Sequence, residues 1–369
     1  MRNHPRFLLL LLAPIALISC GGAATSSGYS WSDYGRYYAM DSVIDISLDD
    51  PASHPSSASS NLTSSRAEIT SSTLSEIYLT YDALADNTIA HEGVVNVYNL
   101  NQTHATTVVS IELYDLLKFA ESMKTLTNGY FNPLVGGLSN LWKSKLFGSS
   151  DVTNTSAASS FVPSIPTDSE IQSEMAKINA SSLTFDDATH SVTRTGEATI
   201  DLGGIAKGYA TQKVYELLKS LQITRYFVNA GTSTILFGEN INTSGNFTMG
   251  FADLPKTYTD LKNCIVSTSA VSRQYQVVDG ALYSHIVNPL TGSALASWHG
   301  AVLLGDDAAV GDALSTSFML LGPDQVSSFV TTYSLRTLFY KSATFYNTAF
   351  NKTDGVTTLV NQGITLYEG

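Results

Sequence analysis

The sequence predicts an α+β fold, a mixed α/β arrangement with helices grouped around a largely antiparallel sheet. Three observations carry this. Apolar residues recur at helical spacing in several separate windows. Short β-rich runs with turn residues between them crowd residues 225–304. The chain has 369 residues and 43% apolar content, enough to bury a full core.

The elements follow in chain order. Arg2, His4 and Arg6 precede an apolar run from Phe7 to Ile18, too short to span a bilayer easily. The run ends Leu17-Ile18-Ser19-Cys20-Gly21 and resembles the lipobox of bacterial lipoproteins, against an ordinary signal peptide with a chance cysteine. Residues 1–19 are therefore expected to be a lipoprotein signal peptide, with Cys20 lipidated and residues 20–35 a flexible tether. Two acyl signals on one cysteine give stable anchoring. Residues 36–369 are expected to form one domain. Low-complexity stretches at 51–65 and 149–168 read as surface loops.

Helices are expected over 66–84, 111–127, 205–221 and 312–321. Leu113, Leu116, Leu117, Ala120 and Met123 form the stripe of the second, and Ala206, Tyr209, Ala210, Val214 and Leu218 that of the third. Strands are expected at 225–230, 234–238, 263–268, 274–279, 282–287 and 300–304, with further strands toward the end.

Net charge is −12, from 20 basic and 32 acidic residues, which argues against a nucleic-acid backbone as partner. With Cys20 lipidated, Cys264 has no partner, and its apolar neighbours make it a buried thiol. No disulfide framework supports the fold.

Four segments are candidates for chemistry. Asp201-Leu202-Gly203-Gly204-Ile205-Ala206-Lys207-Gly208 reads as a strand end, a two-glycine turn and the start of a helix. Such a helix start suits an anion such as a phosphate, with Lys207 one turn on from Gly204. It is neither a Walker loop nor a dinucleotide fingerprint. Asp312 and Thr316, four residues apart on a helix, suit a hard cation such as Mg2+; the competing reading makes Asp312 the helix N-cap. His285 sits on a strand leading to Asn288-Pro289-Leu290-Thr291-Gly292, as base, donor or plain structural histidine. The Gly129-to-Trp142 segment reads as an aromatic wall for a flat ring, or as a helix C-cap before Pro133.

Taken in order, these segments resemble the FAD:protein FMN transferase family (the ApbE family). The correspondence runs through Met40-Asp41-Ser42, Gly129 to Trp142, Asp201 to Gly208, Asn229-Ala230-Gly231-Thr232, Ser267-Thr268-Ser269, His285 to Gly292, and Gly311 to Thr316. Asn132 stands where the family has Asp, Ser42 where it has Thr, Asn288 where it has Asp, and Gly311 where it has Ala.

The resemblance implies a two-lobed, ApbE-like fold and a Mg2+-dependent enzyme, with Mn2+ as the alternative metal. FAD would be its substrate. FMN would pass to a Thr or Ser hydroxyl of an extracytoplasmic acceptor flavoprotein of a membrane electron-transfer system, releasing AMP. It further implies that Met40, Tyr81, Tyr130, Phe131, Asn132, Asp201, Lys207 and Thr268 contact the flavin nucleotide. Gly204, Ala309, Asp312 and Thr316 would ligate the metal, and His285 would act at the phosphate. Rival readings are a Mg2+-dependent FAD pyrophosphatase giving FMN and AMP, and a non-catalytic flavin-binding lipoprotein. The expected home is the extracytoplasmic face of a bacterial membrane or the periplasm. Ser56-Ser57-Ala58-Ser59 approaches the family's acceptor motif, but Ser53 stands where Asp is wanted, so the chain is not expected to flavinylate itself.

Overall fold

The computed structural model describes residues 31–49, 69–148, 161–251, 254–271, 274–296, 298–321, 325–342 and 364–368. The expected signal peptide, Cys20, most of the expected tether, the 51–65 stretch with its acceptor-like serines, and most of the 149–168 stretch lie outside these residues.

The elements run β1 (Asp33–Ala39), β2 (Ser42–Leu48), α1 (Ser71–Ala85), α2 (Val97–Asn101), β3 (Thr107–Val108), α3 (Ile111–Leu126), α4 (Gly136–Phe147) and α5 (Asp168–Asn179). They continue β4 (Ser182–Asp186), β5 (Ser191–Thr195), α6 (Ala206–Ser220), β6 (Tyr226–Ala230), β7 (Thr234–Phe237), β8 (Phe247–Phe251), β9 (Leu254–Leu261) and β10 (Cys264–Ala270). The rest are β11 (Tyr275–Val278), β12 (Ala281–Ser284), β13 (Gly300–Gly305), α7 (Ala308–Leu321), α8 (Ser327–Thr332), β14 (Arg336–Ser342) and β15 (Ile364–Glu368).

The main sheet has the order β1-β2-β6-β7-β10-β13-β14-β15, and each neighbouring pair is antiparallel. A three-stranded sheet, β3-β5-β4, and the hairpins β8–β9 and β11–β12 complete the β structure. The fold is thus helices about a largely antiparallel sheet.

Side-chain alternation gives the main sheet two buried faces. Ile44, Ile46, Val228, Leu236, Ile265 and Leu303 join the helices in the larger core. Phe227, Ile235, Phe237, Val266, Val302 and Leu304 face the other way, where Phe247, Met249, Tyr258 and Leu261 of the β8–β9 hairpin cover them. Burial on both faces explains why the strands read as apolar runs rather than strict alternations.

Several boundaries differ from the sequence reading. The helix expected at 312 begins at Ala308, because the Asp307 carboxylate accepts the Val310 N–H at 2.9 Å and the Gln212 side chain accepts the Ala308 N–H at 2.9 Å. Asp312 is therefore a second-turn residue and not an N-cap. No strand runs into Asp201: β5 ends at Thr195, and the extended chain beyond it bonds to the 133–136 loop, Asp201 N–H to Pro133 O at 2.8 Å and Gly136 N–H to Thr199 O at 2.9 Å. The strand carrying His285 stops at Ser284, and His285 is the first residue of the following loop. Within the Gly129-to-Trp142 segment, residues from Gly136 onward are helical rather than loop. Gly129 does close helix α3: at φ +86° it donates back to Lys124 O at 2.8 Å, a conformation that favours glycine.

Candidate functional site

The site lies where the starts of α6 and α7 cross beside β10. Helix α6 begins without a side-chain cap. The N–H groups of Ile205 and Ala206 both point to Leu202 O, at 3.0 Å each. The Gly208 N–H goes to Asp312 Oδ2 at 2.8 Å. One helix-start donor expected to meet a phosphate is thus taken by a carboxylate of the chain itself. Gly208 is required for this crossing. A side-chain carbon there would lie 2.3 Å from Asp312 Cβ and 2.4 Å from Ala308 O.

Asp312 is buried, at 5% exposure. Burial pushes its carboxyl up to about 6, against the pull of Lys207, the Gly208 N–H and the Thr234 hydroxyl. Thr316 follows one turn on, its hydroxyl 3.4 Å from Asp312 O. A carbon built on Gly204 would sit 3.5 Å from Thr316 Oγ1 and 3.6 Å from the Phe131 ring. Gly204, Asp312 and Thr316 therefore meet in one corner. Hydroxyls line its β10 side: Ser269 Oγ lies 2.8 Å from Ser315 Oγ and 3.2 Å from Thr316 Oγ1.

Among the described residues, no three His, Cys, Asp or Glu side chains stand together as a metal cluster. The donor set expected here is of another kind, one carboxylate with a hydroxyl and a backbone carbonyl. Such a set, all oxygen, fits a hard cation. A buried carboxylate whose charge is only partly met by Lys207 fits it too. Ala309 fits less well. It lies in the first turn of α7, where a carbonyl accepts from the residue four places on, and it is buried at 2% exposure.

A second wall faces this corner. Asp201 is held by its own turn, with Oδ1 accepting the Gly203 N–H at 2.8 Å. Its other oxygen faces Lys143 Nζ at 3.9 Å. The half-buried His285 ring meets the Gln274 carbonyl at 3.3 Å through Nδ1. The tautomer that donates there leaves Nε2 as the basic atom. Desolvation holds this imidazole down to about 4, with the charges of Lys143 and Lys207 adding to the effect. Trp142 ties α4 to the His285 loop: its Nε1–H donates to Gly292 O at 2.8 Å and its ring stacks on Tyr283 at 5.4 Å.

The remaining predicted residues divide. Met40 occupies the β1–β2 turn with Asp41, both at positive φ. The Met40 N–H lowers the pKa of Asp82, whose carboxyl is nonetheless raised overall by burial. Phe131 is buried against Gly204, Tyr130 is half-buried, and the Asn132 side chain accepts the Leu134 N–H at 3.0 Å. Asn132 needs only a side-chain oxygen for that turn, which an Asp would equally supply.

Tyr81 is buried in an aromatic cluster, edge-on to Tyr209 at 5.4 Å. Thr268 lies opposite Val302 in register, on the sheet face away from Ser267 and Ser269. Its neighbour Ser269 is the residue that reaches Thr316, since successive side chains on a strand point to opposite faces.

Sequence reasoning missed Lys143, Ser269 and Gln274. A signal existed for the first: Leu138, Leu141, Trp142 and Leu146 have helical spacing and end at Gly148, which caps α4 at φ +79°.

Comparison with known proteins bears on family and fold. A model of the ApbE family matches residues 40–339. The FAD:protein FMN transferase of Klebsiella pneumoniae is 25% identical over 272 residues, 71% of this chain and 78% of that one. A protein of the same name from Vibrio cholerae is 26% identical over 249 residues, 65% of this chain and 70% of that one. The crystal structure of the ApbE protein of Thermotoga maritima superposes with a TM-score of 0.63 at 26% identity, over 83% of this chain and 93% of that one. Pseudomonas stutzeri flavinyl transferase ApbE, in its apo form, gives a TM-score of 0.67 at 17% identity over 93% of this chain and 96% of that one, which speaks to the fold alone.

Proposed function

The chain belongs to the ApbE family, and from that premise and the site's geometry we propose that it transfers FMN from FAD to a threonine or serine hydroxyl of an acceptor protein outside the cytoplasm. The other product is AMP. The observation that carries the reading is the meeting of Gly204, Asp312 and Thr316 in one corner beside Lys207.

In this reading Asp312, the Thr316 hydroxyl and the Gly204 carbonyl would hold Mg2+, with Mn2+ as the alternative. The metal would supply charge neutralisation to the diphosphate oxygens. Lys207 adds a fixed positive charge beside them. The Phe131 ring lies against the Gly204 side of that corner. The acceptor hydroxyl oxygen forms a bond to the FMN phosphorus, and the bridging P–O bond to AMP breaks with its electron pair leaving on AMP. The hydroxyl proton passes to Nε2 of His285, which is neutral at pH 7 because burial and two lysines hold it so. Phosphate charge arriving between those lysines works in the opposite direction and raises the basicity of the ring.

We also propose that Cys20 carries the lipid anchor. Cys20→Ser is expected to move the protein from the membrane to the soluble fraction; retention in the membrane would count against this. The activity itself is tested by incubating the protein with FAD and Mg2+, with and without a candidate acceptor. Covalent FMN on the acceptor by mass spectrometry, with one AMP released per FMN bound, is the expected result. AMP release that needs no acceptor would assign the chain to FAD hydrolysis instead.

A further inference from the structure

We infer that Lys143 is a further substrate-binding residue of this site, donating its ammonium N–H groups to the diphosphate of the dinucleotide on the side of His285. The inference rests on the FAD reading above.

Lys143 stands on α4 directly after Trp142, the residue whose indole bonds to Gly292 O and whose ring stacks on Tyr283. The helix turn that carries Lys143 is thereby fastened to the loop that carries His285. Its side chain is three-quarters shielded, at 26% exposure. An ammonium in such a place needs acceptors, because each of its three N–H donors loses water. Its nearest carboxylate oxygen, on Asp201, is 3.9 Å away, beyond hydrogen-bond reach. Among the described residues Lys143 donates no hydrogen bond.

Other lysines of the chain behave differently. Lys145, two residues on, meets Glu170 at 2.9 Å, Lys118 meets Asp187 at 2.6 Å, and Lys213 meets Glu216 at 3.0 Å. Those pairs lie on the surface and satisfy one another. Lys143 instead shares its surroundings with Lys207, and both charges act on the His285 ring. Two cations about one neutral imidazole, with Asp201 held by its own backbone turn, leave a place for an added anion. A diphosphate is such an anion, and its oxygens supply the acceptors that the ammonium lacks.

The arrangement separates two jobs. Lys207 lies toward Asp312, on the metal side. Lys143 lies beside Asp201, and its charge too reaches the His285 ring. The diphosphate of the dinucleotide would then meet both lysines.

The test is a fluorescence titration of FAD, with Mg2+ present, into the wild type, Lys143→Gln and Lys143→Arg, alongside thermal melts of all three. Lys143→Gln is expected to weaken FAD binding about tenfold, since a charge-assisted contact is lost. Lys143→Arg should bind within about threefold of the wild type, because it restores the donors. Melting temperatures should stay together. Wild-type affinity in Lys143→Gln, failure of Lys143→Arg to recover, or a melting temperature that falls in step with affinity would each overturn the assignment. A wild type that ignores FAD would defeat the functional reading as well, which sets that failure apart from the others.

Discussion

The two walls of the site are built on different terms. The inner wall, where α6 crosses α7, is made by backbone contact: Gly208 touches Asp312, and Gly204 touches Thr316. The outer wall is made of side chains on loops and a helix: Asp201 and Lys143, 3.9 Å apart, and His285, whose ring meets the Gln274 carbonyl. On the inner wall the residues that do the chemistry also set the helix crossing. On the outer wall they do not. Substitutions that disturb the inner-wall crossing should therefore cost both folding and activity, and those on the outer wall activity alone.

The largest effect tests whether the inner wall holds chemistry apart from packing. Asp312→Asn keeps an oxygen for the Gly208 N–H but loses the carboxylate charge. FMN transfer is expected to fall about a thousandfold while the melting temperature changes little. A near-normal rate would remove the metal site from the account. On the outer wall, His285→Gln should lower kcat about a hundredfold, the scale of a lost general base, and leave stability unmoved. Unfolding of that variant would show that the two walls are one packed unit.

Gly208→Ala probes the crossing itself. Its new methyl group must displace Asp312 or the Ala308 carbonyl, so chemical denaturation should show a loss of about 2 kcal/mol together with most of the activity. A smaller change is expected for Ser269→Ala, which removes the hydroxyl shared by Ser315 and Thr316. The cost is about 1 kcal/mol by the same measurement.

The mildest comparison uses pH. Burial holds His285 down to about 4 and His299 down to about 3. The unfolded chain takes up these protons as pH falls through about 6.5, and the folded chain resists until near 4. Stability contributed by both rings is complete above 6.5 and drains away across that window on acidification. Asp312, raised to about 6, runs the other way together with Asp82, Glu121 and Asp307, all raised by burial, and the two histidine shifts outweigh them. Melting temperature is expected to decline from pH 7 to pH 4.5, and a rise would contradict these placements.

Much of the inner wall was legible in the sequence, and so were Asp201 and His285 of the outer, but not Lys143. Asp312 and Thr316 are four residues apart on a strongly apolar helix, and Gly203-Gly204 interrupts another run, so local spacing suffices to place them. What spacing does not give is the partner across the crossing, since Gly208 and Asp312 are distant along the chain. The helix stripes at 111–127 and 205–221 matched α3 and α6 within a residue or two, because each buries one apolar face. The 308 boundary was missed because its cap comes from Asp307 and from Gln212 of another helix. Ser269 was missed for a reason of register: Thr268 and Ser269 are equally polar, and only pairing with β13 decides which faces α7. Lys143 was missed because its segment reads as an aromatic, glycine-rich loop until the helix over Gly136–Phe147 is seen.

The proposed cation, held by Asp312 with Thr316 and Gly204, would act on the diphosphate of FAD. The most direct measurement is AMP release from FAD in the presence of an acceptor, followed as Mg2+ is titrated into the EDTA-treated wild type and Asp312→Asn. Saturable activation of the wild type and a flat, near-zero response from the variant are expected. Equal activation of both, or wild-type release that ignores Mg2+ altogether, would contradict that role for the cation.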